Sequence, residues 1–74
     1  MPHIDVKYFP RELSPEEKEA IAGEMCAVLK KHFQSKDSAL SVTMASIEPD
    51  DWKAEVYDKI IDSPALIKKP GYQM

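Results

Sequence analysis

The chain holds one cysteine, Cys26, and no clustered set of cysteines and histidines. The first absence excludes an internal disulfide and the second a structural zinc site, so two common staples of small domains are missing. No apolar run approaches membrane-spanning length. The amino terminus alternates polar and apolar residues instead of presenting the unbroken apolar stretch of a signal peptide, and with a lone thiol this makes the cytoplasm the expected compartment. An excess of base is missing too. Ten Lys and Arg stand against thirteen Asp and Glu, for a net charge of -3 and a pI near 5.3. Such a surface repels nucleic acid and anionic membranes, so neither is an expected partner. There is no internal repeat, low-complexity segment or domain linker.

What is present is the composition of an ordinary soluble globular domain, 43% hydrophobic and 31% charged over 74 residues. A chain of that length has room for one domain, residues 1–74, and buries only about 60% of its unfolded surface on folding. With disulfide and zinc excluded, association with further copies is the expected source of stability, and a homo-oligomer is expected.

Along the chain, Ile4, Val6 and Tyr8 alternate with His3, Asp5 and Lys7, the period of a half-buried strand that Phe9 and Pro10 close. Ser14, Pro15, Glu16 and Glu17 follow. They combine an N-cap serine, a proline in the first helical position and a glutamate three residues after the cap. Ile21, Met25, Val28 and Leu29 then recur at helical spacing, widened by Ala22, Cys26 and Phe33, which predicts a helix over about 15–33. After a polar connection over 34–38, Leu40, Val42 and Met44 alternate with Ser41, Thr43 and Ala45 in a second strand running to about Ile47. Strand, long helix, strand is the order of a right-handed crossover between parallel strands, so the expected fold is α/β with one βαβ unit over 2–47.

Beyond it, residues 48–74 read as a carboxy-terminal extension and oligomer arm. Trp52, Val56 and Tyr57 satisfy neither period, leaving 52–62 open between extended and helical, and Ser63 with Pro64 starts at most a turn or two before Pro70 and Gly71. The helix covers one face of a two-stranded sheet, and a second chain is expected to extend that sheet and cover its open edge.

The residue with the most chemical potential is Pro2. If the initiator methionine is removed, Pro2 carries a free secondary amine, whose ordinary pKa of about 8 lies within reach of neutrality. Burial beside apolar or cationic groups lowers that value and makes the amine a general base. His3 and Asp5 share a strand face and could begin a metal site, but no third ligand is spaced to join them, so no metal is expected. His32 in the last turn complements the helix dipole, Cys26 reads as a small apolar side chain, and Lys68 with Lys69 reads as a solvated pair.

An amino-terminal proline opening a strand, a capped helix, a second parallel strand and an aromatic soon afterwards resemble the 4-oxalocrotonate tautomerase family. Trp52, Val56, Tyr57 and the ending Lys68, Lys69, Pro70, Gly71, Tyr72 are similar to its slightly longer branch of small dimeric bacterial phenylpyruvate-type tautomerases. The resemblance implies an isomerase without metal or organic cofactor, in which Pro2 moves a proton between oxygen and carbon of an enol and its keto tautomer. It implies that Arg11 holds the substrate carboxylate and that Trp52 lines the pocket, with Tyr8 or Phe33 as further apolar surface. It also implies a dimer, favoured over the family's hexamers, with a four-stranded sheet and both helices on one side.

The family's second-strand arginine is missing, and Ser41 stands there among uncharged neighbours. A hydroxyl donates one neutral hydrogen bond where an arginine grips a carboxylate bidentately, so a small monocarboxylate 2-keto acid of phenylpyruvate type fits better than a dicarboxylate. Dehalogenase and hydratase relatives need further charged groups to activate water and rank lower. The alternative from another class is a non-enzymatic interaction module on the same scaffold, its activity lost with that arginine. Two residues keep a second reading of their own: Arg11 as an exposed partner of Glu12, and Trp52 as a plug in a subunit interface.

Overall fold

The computed structural model describes residues 1–74. Strand β1 (His3–Tyr8) leads into helix α1 (Pro15–Phe33), and strand β2 (Ser41–Ser46) returns parallel to β1 in a two-stranded sheet, with His3 opposite Ser41 and Tyr8 opposite Ser46. The chain is therefore one βαβ unit, as its periodicities predict.

Helix α1 begins where its cap dictates. The Ser14 hydroxyl accepts from the Glu17 backbone N–H at 3.1 Å and the Ser14 N–H donates to Glu17 Oε1 at 3.0 Å, so two otherwise orphaned donors are satisfied reciprocally. Pro15 adds a preset φ at the first position. Glu16 and Glu17 lie at the positive end of the helix dipole and Lys30, Lys31 and His32 at the negative end. Gln34 stops the helix in the left-handed region, φ 54 and ψ 36. A short 3₁₀ turn, Asp37–Ala39, then delivers the chain to β2, held by an ion pair from Lys30 to Asp37 at 2.7 Å.

The two sheet faces differ in kind. Ile4, Val6 and Tyr8 with Val42 and Met44 form the half-buried face. Ala22 of α1 lies against Val42 and Met44 across a shallow groove of about 290 Å³. His3, Asp5 and Lys7 with Ser41 and Thr43 form the exposed face.

The segment left open by the sequence, 52–62, is helical as far as Ile60 and ends in a turn. Helix α2 (Pro49–Trp52) runs into a π-helical turn over Lys53–Tyr57 and then into α3 (Asp58–Ile60). A π turn spaces its backbone bonds one residue wider than an α-helix, so the side chains of Trp52, Val56 and Tyr57 cannot keep a 3.6-residue period. Lys53 clamps the turn with a bidentate contact to Asp58, both bonds 3.1 Å. After it, Ser63 Oγ accepts from the Ala65 N–H at 3.1 Å and a single turn closes at Leu66. Pro70, lacking an N–H and restricting the residue before it, leaves too few residues for a helix to propagate.

One residue in the chain is buried, Tyr57 at 7% exposure. The radius of gyration is 14.0 Å, against about 11 Å for a compact domain of this length. The accessible surface is 5990 Å², against about 4,600 Å² for a folded monomer of this mass. Phe9, Val28, Phe33 and Ile67 are among the large apolar side chains left exposed. No helix is long and apolar enough to cross a membrane.

Candidate active site

Pro2 immediately precedes β1 and is half-buried. It lies in an open chamber of about 470 Å³ whose walls are Met1 before it, His3 and Ile4 of β1, and Leu29 and Phe33 from the last turns of α1. The helix arrives there because its apolar stripe runs along the sheet and ends at Phe33. An amine at position 2 would be flanked by hydrocarbon, which disfavours its protonated form.

His3 next to it is fixed by β2. Its Nδ1 is hydrogen-bonded to Ser41 Oγ at 2.7 Å, and Thr43 Oγ1 lies 3.5 Å from Nε2. Thr43 donates to Asp5 Oδ1 at 2.8 Å, and Lys7 pairs with the other Asp5 oxygen. The Lys7 ammonium first, and the Thr43 hydroxyl second, hold the Asp5 carboxyl below the usual carboxylate range. Where the family's arginine is missing, two hydroxyls of β2 thus tie the polar side chains of β1 into one ladder. His3 and Asp5 turn their ring nitrogen and oxygens to these neighbours and gather no third ligating group.

Trp52 stands at the other end of β1. Its indole meets Phe9 edge to face, ring centroids 5.0 Å apart at 88°, and its Nε1–H donates to the Tyr72 hydroxyl at 2.8 Å. Phe9, Trp52, Tyr72 and Met74 line a second, open chamber of about 410 Å³ with no charged side chain in its lining. Arg11 follows Phe9 by two residues in the exposed connection to α1, near enough to Glu17 to lower that carboxyl slightly, behind the larger effects of the Ser14 hydrogen bonds. No ion pair with Glu12 forms.

The three residues singled out by the sequence therefore separate within one chain. Arg11 and Trp52 belong to the carboxy-terminal end of β1 and Pro2 to its start, seven residues from Phe9, or about 23 Å at strand rise. The apolar companions are also redistributed. Phe33 lies beside Pro2, Tyr8 is directed to the half-buried face, and the aromatic against Trp52 is Phe9. Tyr72 and Met74 escape a reading by periodicity because they follow a break at Pro70 and a bend at Gly71, and an aromatic just past that break was the local signal available.

Comparison with known proteins bears on what such a chain does. The family model described as "Tautomerase enzyme" matches residues 2–59. Similar proteins called "Tautomerase PptA" occur in Pectobacterium carotovorum subsp. carotovorum (strain PC1), 62% identical with 97% of both chains covered, and in Cronobacter sakazakii (strain ATCC BAA-894), 49% identical with both chains covered in full. A third, from Escherichia coli O127:H6 (strain E2348/69 / EPEC), is 47% identical over the full length of both. Full-length likeness to tautomerases sets aside the non-enzymatic module. The chain belongs to the tautomerase family and is an isomerase of that type.

Proposed function

We propose that the protein is a cofactor-independent keto-enol tautomerase for an enol of a small 2-keto acid of phenylpyruvate type, with Pro2 as its base once Met1 is removed. The observation that carries this reading is the apolar chamber of Ile4, Leu29 and Phe33 around Pro2. The neutral secondary amine takes the enol hydroxyl proton; the electron pair of the O–H bond becomes the carbonyl π bond as the enol π pair attacks the proton now on nitrogen. A C–H bond forms, the N–H bond breaks, and the amine is returned unchanged. The family match begins at Pro2, which supports the same assignment.

A base at the start of β1 and an anchor at its end form one site when two chains meet. The Tyr8 carbonyl accepts from the Ile47 N–H, so Tyr8 faces β2, and by strand alternation the backbone groups of His3, Asp5 and Lys7 face the free edge. A second β1 pairing antiparallel on that edge lays Pro2 beside the end of the partner strand, where the partner's Arg11 and the partner's Trp52 stand. It also makes the four-stranded sheet of a homodimer. The surface in excess of a compact monomer, about 1,400 Å² per chain, matches the area an obligate homodimer buries, about 2,000–5,000 Å² in total.

In this assembly the guanidinium of Arg11 holds the carboxylate by two charge-assisted hydrogen bonds and the aryl end rests against Trp52. Replacement Pro2→Ala keeps a terminal amine but alters its basicity and position, and is expected to lower ketonisation of enol-phenylpyruvate by about a hundredfold or more. Ultraviolet absorbance of the enol follows the rate, and a wild-type rate in the variant would refute the proline base.

A further inference from the structure

Trp52 can line a pocket only if its indole is held in one orientation, and the chain supplies the holder from its last residues. After Pro70 and Gly71, Tyr72 lies on the one buried residue, Tyr57, their ring centroids 5.7 Å apart at 38°. Its hydroxyl takes the Trp52 N–H at 2.8 Å. With that N–H satisfied, the indole presents only hydrocarbon and π face to the chamber it shares with Phe9, Tyr72 and Met74. The chamber measures about 410 Å³, within the range of small-molecule sites, about 300–1,000 Å³. Phe9 and Tyr72 are each half-exposed, at 50% and 45%, so the aromatic walls stand free for an edge-to-face or stacked ring.

We propose that Tyr72 is a positioning residue that sets the enzyme's preference for an aryl side chain, by locking Trp52 through its hydroxyl and walling the chamber that receives the ring. The assignment rests on the tautomerase reading above for its turnover consequence, but the chamber's affinity for an aryl group can be read without turnover. Trp52 is the single tryptophan of the chain, so its fluorescence reports its own surroundings, this chamber and the neighbouring groove lined by Asp5, Lys7, Glu55 and Lys59. The substitution Tyr72→Phe keeps the ring and removes the hydroxyl.

The experiment titrates the processed wild-type protein and Tyr72→Phe with 3-phenylpropanoate and with butanoate, two monocarboxylates that differ by a phenyl group, and follows Trp52 emission. Saturable quenching by 3-phenylpropanoate is expected in the wild type, with a Kd raised about threefold to tenfold in Tyr72→Phe, the worth of one neutral hydrogen bond. Butanoate is expected to bind both proteins alike. In turnover the same variant is expected to raise KM for the aryl enol and keep kcat. Equal Kd values for 3-phenylpropanoate in the two proteins, no binding of it to the wild type, or equal weakening of both acids would overturn the proposal. Aryl binding without turnover by the wild type would instead overturn the tautomerase mechanism and leave the role of Tyr72 standing.

Discussion

At the scale of the residue, one substitution of chemistry dominates. A second arginine would bind a second carboxylate, and the hydroxyls of Ser41 and Thr43, committed to His3 and Asp5, cannot. Arg11, outside the chain's ion pairs and exposed, is the anion holder of the proposed site. Arg11→Ala is expected to raise KM for a 2-keto acid enol about tenfold or more, and to leave the binding of an uncharged aryl enol ester unchanged, since the lost contact is to the carboxylate. Steady-state kinetics on the acid and ester pair checks it, and an equal loss on both would point to a structural role. Arg11 and Trp52 were legible as residue types near a strand end; that Trp52 packs on Phe9, at the end of β1 opposite Pro2, was not, because the separation depends on where the strand begins and ends in space.

Among the elements, α1 was legible almost to the residue. Its start is written in Ser14, Pro15 and Glu17, and its end in the loss of apolar spacing after Phe33. The Glu17 carboxyl, accepting the Ser14 backbone N–H and then its hydroxyl, is held below its ordinary value of 4.5. A carboxyl whose folded pKa is depressed contributes stability that is fully present above its unfolded pKa and is lost as pH falls through the folded one. The urea midpoint of the wild type is therefore expected to fall below about pH 4.5, and Glu17→Gln to show a smaller fall over the same window, measured by circular dichroism at pH 7 and pH 3.5. Identical acid losses in the two proteins would remove Glu17 from the account. The π-helical turn is the opposite case. Lys53–Tyr57 carries no local signature that separates it from a poor helix or a poor strand, and the Lys53 clamp on Asp58 becomes visible only once the turn exists.

The whole molecule explains why a 74-residue chain with one buried residue persists. In the proposed homodimer another copy covers its exposed apolar surface and the free edge of β1, the arrangement that chain length and the lack of staples lead one to expect. Sedimentation is expected to give twice the 8.4 kDa of the chain. Lys7→Pro removes an outward N–H without touching the bonds to β2, and is expected to yield monomer and abolish turnover together. A dimeric, active Lys7→Pro protein would show that the edges of β1 do not build the interface.

The central claim is that a free amine at Pro2 does the chemistry, and the most direct measurement is made on one sample divided by processing. Intact mass separates protein that has lost Met1 from protein that retains it, and the ketonisation rate of enol-phenylpyruvate is taken on each. The account predicts turnover in the processed form and none in the form where Pro2 nitrogen remains an amide; equal rates in the two would contradict it.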